Sequence, residues 1–277
     1  MTVLLEVIKM ILTGILEGVT QWLPISSRAH LILLDTLLPM NRSTSFSEIL
    51  LLVIETGAWL GLVTVMFRRL WPWSKRRSSR KQILERWKHI GPAALLWSIE
   101  LLFLEPLLPS FLHTPAVLCV MSGGIGVLMI LFSHHAVQNN RTALTLGGSV
   151  LVGAVGCIYL LPGASFVGTV LVLCVILGMN RSSSMEFSLE ASVPVIAVSI
   201  VHRLMGMEGS VMLVEAVLLL IALITAYLVS VWMIKGILRS FYQADLKLLG
   251  YYRIVLAMVM MILSLIGALP ESMGVYL

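Results

Sequence analysis

The groups best suited to chemistry lie in one short polar run, EGVTQWLPISSRAH at residues 17–30, inside an otherwise apolar stretch. Glu17 and Gln21 are four residues apart, so on a helix they share a face from which their oxygens could hold a divalent cation. Ser27 and His30 follow a Leu-Pro break and could supply a nucleophile, an acid or a base. Because such groups are costly in lipid, we expect them to face a site.

A second run, LLPGAS at 160–165, resembles WLPISS at 22–27, with Pro162 corresponding to Pro24. A single proline in a membrane helix usually marks a plain kink, but the duplicated Leu-Pro-x-x-Ser pattern favours two re-entrant hairpins. Non-helical backbone at that depth needs protein or a watery cavity around it, and helix N-termini at such breaks attract anions. The pattern therefore predicts an anion site between two tips, near Ser27 and Ser165.

The composition places these runs in a membrane protein. Of the 277 residues, 58% are apolar and 12% are charged, and the mean hydropathy is +0.98, which excludes a soluble globular domain. The three cysteines are odd in number and lie in apolar runs, which argues against a disulfide framework or a thiolate zinc site. One polytopic membrane domain over 1–277 is the expected organisation.

The basic residues indicate the orientation of the chain. Nine of the 19 Lys and Arg lie at 68–88, so we predict a basic cytoplasmic loop over 68–89 and a second cytoplasmic segment over 235–253. A nucleic-acid patch is the rival explanation for the first run, but apolar spans on both sides argue against it, and we expect no nucleic-acid partner.

Six apolar stretches are long enough to cross a bilayer, and two further regions, 4–39 and 142–178, are broken near the middle. The predicted fold is all-α: about six transmembrane helices and two re-entrant hairpins in an inverted-topology repeat, with halves at about 1–133 and 142–269. The predicted spans are roughly 48–67, 91–108, 115–133, 187–206, 211–234 and 251–269.

The run at 17–30 closely resembles the first signature of the undecaprenyl-pyrophosphate phosphatases, also known as bacitracin-resistance proteins, in which an E/Q-x-x-x-E helix leads into F-L-P-V-S-S-x-G-H. Further resemblance covers nearly the whole chain. It is carried by ETG at 55–57, MFRRL at 66–70, LPGAS at 161–165, GMNR at 178–181 and EFS at 186–188.

The resemblance implies a multi-pass protein of the bacterial inner membrane whose site faces the periplasm. It implies removal of the terminal phosphate of undecaprenyl pyrophosphate with Mg²⁺ or Ca²⁺, which regenerates the monophosphate carrier lipid for peptidoglycan synthesis. By position, Glu17 would hold the cation together with Gln21, and Ser27 and His30 would be nucleophile and acid–base partner in an order that stays open. The polyprenyl lipid is the expected partner, and a homodimer is allowed.

Six residues are predicted to contact the lipid headgroup. Ser165 would donate to a phosphate oxygen, and Glu55 is an ionisable group within a span near the tips. Arg28 could clamp phosphate in bidentate fashion, although an alternative is that it extends to the membrane surface. The full set is Ser26, Arg28, Glu55, Gly163, Ser165 and Thr169.

The second tip departs from the family pattern P-G-x-S-R-S-x-x-T, because the arginine is replaced by Phe166, the next serine by Val167 and the threonine by Val170. In the first signature, Gln21 replaces the second glutamate. Phosphoryl transfer depends on cations that stabilise transition-state charge, and an arginine in that role is worth about a thousandfold or more. Two hypotheses follow: a phosphatase with an atypical site clamped by Arg28, or a non-hydrolytic transporter, flippase or binder of polyprenyl phosphate.

Overall fold

The computed structural model describes residues 2–39, 43–71, 77–207 and 212–269. In these ranges the chain forms ten α-helices. They are α1 (Thr2–Thr20), α2 (Ser27–Leu37), α3 (Thr44–Leu70), α4 (Arg77–Ile99), α5 (Pro115–Gln138), α6 (Leu146–Val155), α7 (Phe166–Ile176), α8 (Arg181–Met205), α9 (Leu213–Ser240) and α10 (Leu246–Leu265).

Six of the described helices are long and apolar enough to cross a membrane: α3, α4 with its extension to Leu107, α5, α8, α9 and α10. Each overlaps one of the six predicted spans, so that prediction is confirmed. Large apolar side chains such as Trp232 on α9 and Leu248 on α10 are exposed on the outside of the bundle, as lipid contact requires. The protein is therefore an all-α, multi-pass membrane protein.

The two broken regions form helix pairs, α1 with α2 and α6 with α7, whose breaks fall on the two Leu-Pro runs as expected. With 10 and 11 residues, α6 and α7 are each too short to cross a bilayer of about 30 Å. The helix after each break starts on a serine cap, Ser26 for α2 and Ser165 for α7. The cap thus lies two residues after Pro24 but three after Pro162.

The extra residue of the second tip is accommodated by left-handed backbone at Gly163, whose φ is +88°. A Cβ there would lie 2.2 Å from the carbonyl oxygen of Leu118, so only glycine fits both the conformation and the space. Ser165 also has a positive φ of 65°, a strained conformation for a residue with a side chain.

The basic region was predicted as a loop over 68–89, but its second half is helical because α4 begins at Arg77. Residues 72–76 lie outside the described part of the chain. The side chains of this region attach it to α8. Arg69 on α3 pairs with Glu186 at 3.1 Å, and Arg86 on α4 pairs with the buried Glu190.

Helix α10 packs along α5, and α9 packs against α1 and α3. The α5–α10 contact is close because two glycines face each other: a Cβ on Gly126 would lie 2.8 Å from the Gly250 carbonyl oxygen. Small residues permit such approach between membrane helices. The contact brings Arg253, one turn along α10, into the protein interior, where it is 0% exposed. The segment predicted to be cytoplasmic over 235–253 thus ends in a residue buried inside the bundle, and its location stays a prediction.

Candidate active site

Two adjoining cavities that share lining residues lie beside the first tip, and we call them the outer and the inner lobe. The outer lobe has a volume of about 540 Å³ and the inner lobe about 150 Å³. The inner lobe reaches the second tip, so Ser27 and Ser165 line the same space. The residues common to both lobes are Gln21, Ser27, Arg28, Glu55, Glu105, His202 and Arg203.

The first tip brings a hydroxyl onto a carboxylate at the cavity wall. The break around Pro24 ends α1 and reverses the chain, so the first residue of α2, Ser27, returns beside Glu17 of α1. Its hydroxyl donates a hydrogen bond to the buried Glu17 carboxylate. Ser26 accepts a 3.3 Å hydrogen bond from the backbone N–H of Ala29 and so fixes the start of α2. A hydroxyl held by a carboxylate is the arrangement of a nucleophile with its base.

His30 lies next to this pair but lines neither lobe. Its Nδ1 is 2.6 Å from the Ser26 carbonyl oxygen, and its Nε2 bonds the hydroxyl of Tyr252, whose ring stacks on the imidazole. Since a carbonyl only accepts, Nδ1 carries the proton, and Nε2 of the neutral ring accepts from Tyr252. Both ring nitrogens thus have partners, and the acid–base role of His30 stays a prediction.

The second tip contributes few polar groups. Gly163 and Ser165 line the inner lobe, and the Ser165 side chain accepts from the Gly168 backbone N–H at 3.4 Å. The Thr169 hydroxyl is 3.4 Å from the Ala164 carbonyl oxygen, is buried, and lines neither lobe. Leu160, Leu161, Phe166 and Val167 also line the inner lobe, so residues 160–167 present one hydroxyl on an otherwise apolar wall.

Two guanidinium groups line both lobes. Arg28, predicted as a phosphate clamp, is exposed near the start of α2. Arg203, in the last turn of α8, donates to the Glu55 carboxylate of α3. Sequence analysis predicted a headgroup contact for Glu55 but assigned Arg203 no role. The available signal was a charged residue close to the end of a predicted span.

The side chain of Arg253 joins the two tips. Its Nε donates to the Ser122 carbonyl at 3.0 Å and its Nη1 to the Pro24 carbonyl at 3.0 Å. Its Nη2 donates to the carbonyls of Gly163, at 2.6 Å, and Ala164, at 3.1 Å. Sequence analysis missed this residue, although an arginine inside an apolar span is a signal for a buried function. Arg253 holds the tips together through backbone contacts alone.

The donor set suits a cation completed by substrate better than a preformed metal cage. No group of three or more His, Cys, Asp and Glu residues that could hold a metal occurs among the described residues. Glu17 and Gln21 both line the outer lobe, and Ser27 bonds only one of the two carboxylate oxygens of Glu17. Mg²⁺ is commonly bound by one or two carboxylates together with substrate phosphates and water, so these residues fit such an ion.

Comparison with known proteins gives a consistent result. The family model described as bacitracin resistance protein BacA matches residues 10–259. An undecaprenyl-diphosphatase from Enterococcus faecalis is 29% identical, covering 95% of this chain and 98% of its own length. An undecaprenyl-diphosphatase from Acetivibrio thermocellus is 30% identical over 94% of this chain and 98% of its own. Undecaprenyl-diphosphatase 1 from Clostridioides difficile is 28% identical over 93% and 96%.

Proposed function

Because the chain belongs to the bacitracin resistance protein BacA family, we propose that it hydrolyses undecaprenyl pyrophosphate to the monophosphate, which returns the carrier lipid to cell-wall synthesis. The family and the names of its relatives supply the substrate class. The observation that carries the proposal is the Ser27 hydroxyl held on the Glu17 carboxylate at the wall of a cavity that also contains two guanidinium groups.

In this proposal the headgroup enters the outer lobe and its terminal phosphate reaches Ser27. Glu17 accepts the hydroxyl proton as Ser27 Oγ bonds to the terminal phosphorus, and the bond from that phosphorus to the bridging oxygen breaks. Undecaprenyl phosphate leaves and takes the proton from Glu17 on its released phosphate oxygen, which makes Glu17 a base again. Water then attacks the phosphorus of the phosphoserine, Glu17 accepts the proton of that water, and the bond from phosphorus to Ser27 Oγ breaks to release inorganic phosphate. Ser27 is favoured over His30 as nucleophile because Ser27 lines the cavity, whereas both His30 nitrogens already have partners.

A divalent cation, Mg²⁺ or Ca²⁺, belongs to the same proposal. Glu17, through its second oxygen, and Gln21 would hold it, and the bound ion would supply positive charge against the phosphate oxygens. The backbone of Ser26 and Gly163 would lie beside the headgroup. Ser165 would donate a hydrogen bond to a phosphate oxygen, and Glu55 would act by positioning Arg203. Thr169, which does not line the cavity, would stabilise the second tip through its contact with the Ala164 carbonyl oxygen.

The proposed location is the bacterial inner membrane, with the cavity open to the periplasmic or extracellular side. Along α3 the cavity residues Glu48 and Glu55 precede the basic end at Arg68 and Arg69, and basic ends of spans stay in the cytoplasm. Labelling a cysteine placed at exposed Glu48 with an impermeant maleimide in intact cells tests this orientation. A homodimer stays a prediction, which the mass of the solubilised protein by light scattering tests.

Phosphate release from undecaprenyl pyrophosphate by the purified protein, with and without Mg²⁺ or Ca²⁺, tests the activity. We expect cation-dependent release and a loss of about a hundredfold or more in kcat for Ser27→Ala and Glu17→Gln, the range for proton transfer and nucleophile activation. Ser98→Ala is the matched control, since that hydroxyl only bonds the Ala94 carbonyl of its own helix. Wild-type protein that releases no phosphate with either ion would overturn the proposal.

One observation favours a second candidate function, transport of a polyprenyl phosphate without hydrolysis. Another cavity, of about 640 Å³, is lined by Arg86, Glu186 and Glu190 near the basic end of the bundle. Helix α8 lines both this cavity and the two-lobed one. In alternating access, movement of such an element would expose a central site to each side of the membrane in turn. The test is whether a polyprenyl phosphate added outside proteoliposomes reaches the inner leaflet. Movement no faster than in protein-free vesicles would exclude this function.

A further inference from the structure

An ion pair between helices α3 and α8 lies at the junction of the two lobes. It joins Arg203, in the last turn of α8, to Glu55, in the middle of α3. Both residues line both lobes, and their side chains are 34% and 19% exposed, so the pair is open to the cavity. A charged molecule entering the cavity would therefore meet this pair.

Other contacts also hold α3 against α8. The same two helices are joined one turn along α3 by Trp59, whose indole N–H donates to the Val193 carbonyl at 2.8 Å. Arg69, at the other end of α3, also forms an ion pair with Glu186 of α8 at 3.1 Å. A partly exposed ion pair adds little stability of its own. Its position in the cavity wall points instead to a role in binding.

The charges around the cavity make Arg203 important for an anionic ligand. Among the described lining residues, four carboxylates face two guanidinium groups. These are Glu17, Glu48, Glu55 and Glu105 on one side and Arg28 and Arg203 on the other. A diphosphate headgroup needs fixed positive charge, and an arginine offers two parallel N–H donors to one phosphate. Two arginines thus match two phosphate groups.

The need for positive charge is greater because the second tip lines the inner lobe with an aromatic ring and not with a cation. Phe166 packs edge-on against Trp97, at 4.9 Å between ring centroids, and against Tyr159, at 5.1 Å. Arg203 and Phe166 line the same inner lobe. A cation that α7 does not supply can therefore come from α8, which faces the same space.

We infer that Arg203 determines the specificity of this cavity for a diphosphate headgroup: its guanidinium exchanges Glu55 for the terminal phosphate, while Arg28 takes the other phosphate. Glu55 is a positioning residue, which keeps Arg203 directed into the cavity before substrate arrives and competes with the phosphate for it. This inference rests on the proposed function for its substrate, and it adds which residue tells a diphosphate from a monophosphate.

The experiment compares Arg203→Ala, Arg203→Lys and Glu55→Gln by phosphate release and by inhibition with inorganic pyrophosphate and inorganic phosphate. We expect Arg203→Ala to lower kcat/KM for undecaprenyl pyrophosphate about a thousandfold, and to abolish the preference for pyrophosphate over phosphate as inhibitor. Arg203→Lys should recover only a part, because an ammonium cannot bind in bidentate fashion. Glu55→Gln should lower KM, since the competing carboxylate is gone.

Arg69→Ala is the matched control. It also removes an arginine from a partly exposed Arg–Glu pair between α3 and α8, with Glu186 as the partner, but Arg69 does not line the two lobes. We expect it to leave kcat/KM within about threefold of the wild type. If Arg203→Ala matches Arg69→Ala in both activity and inhibitor preference, the inference is wrong while the proposed function stands.

A rescue variant separates a local role from damage to the fold. Phe166→Arg in the Arg203→Ala background places a guanidinium on α7, in the wall of the same lobe. We expect it to recover at least tenfold in kcat/KM and to restore the preference for pyrophosphate. Should the wild type release no phosphate, the proposed function fails, and calorimetric binding of inorganic pyrophosphate decides the inference. Equal affinity of wild type and Arg203→Ala would then overturn it, and loss of binding would support it.

Discussion

The tips around Pro24 and Pro162 share several backbone features but contribute different side chains to the cavity. Each interrupts a helix pair at a Leu-Pro run, starts the next helix on a serine cap and gives carbonyl oxygens to Arg253. The first tip adds Glu17, Ser27 and Arg28 to the cavity, whereas the second adds one hydroxyl and the ring of Phe166. Duplicated geometry can thus support a site whose chemistry comes almost entirely from one copy.

The largest expected effect comes from removing what the tips share. Arg253→Met would leave the carbonyl groups of Ser122, Pro24, Gly163 and Ala164 without their donor. An unsatisfied buried polar group costs about 1–3 kcal/mol, so we expect a loss of several kcal/mol and of all activity. Thermal unfolding in detergent and phosphate release measure this. Arg239→Met on the exposed face of α9 is the control, and equal melting temperatures for the two variants would contradict the shared role.

The next effect distinguishes the tips by their backbone. Gly163→Ala forces a side chain into left-handed backbone and against the Leu118 carbonyl oxygen, so we expect destabilisation by about 2 kcal/mol or more. Gly147→Ala, on α6, is the matched control because no atom lies within 4 Å of its added Cβ. That change should be neutral or slightly stabilising, as alanine is favoured over glycine in a helix. A melting temperature for Gly163→Ala at or above that of the control would show that the second tip is not tightly packed.

The smallest effect tests whether the serine caps are equivalent. Ser26→Ala and Ser165→Ala each remove an N-cap, and each should cost about 1 kcal/mol of stability. Their effects on activity should differ from that of Ser27→Ala, since neither removes the proposed nucleophile; a decrease below about tenfold is expected for both. Steady-state kinetics beside unfolding curves measure the two effects. A loss in Ser165→Ala as large as in Ser27→Ala would mean that both tips carry the chemistry.

The parts of this structure that sequence predicted are those written in local patterns. Six spans follow from continuous apolar stretches, and both breaks follow from the Leu-Pro runs, because lipid excludes unpaired backbone and tolerates it only at sheltered sites. The Ser27–Glu17 contact was also within reach, since ten residues and one turn separate them. The local sequence was therefore enough to predict which polar groups lie together at the first tip.

The sequence could not predict which residues helix packing brings into contact. Arg203 and Glu55 are 148 positions apart, and Arg253 bonds Pro24 across 229. Neither pairing leaves a periodic or compositional trace, because each depends on which helices become neighbours. The predicted role of His30 depended on the same missing information, since its partner Tyr252 lies on α10. The roles of residues whose partners are distant in the sequence can be identified only from the three-dimensional structure.

The glycine contact between α5 and α10 has a consequence for how the protein could change over evolution. Gly126 and Gly250 set how deeply α10 sits, and Arg253 follows Gly250 by three residues on the same helix. A larger residue at this crossing would push α10 away from α5. This shift would move the Arg253 guanidinium away from both tips and widen the gap between the tips. Mutations at this helix contact are therefore expected to alter turnover, although neither glycine lines the cavity.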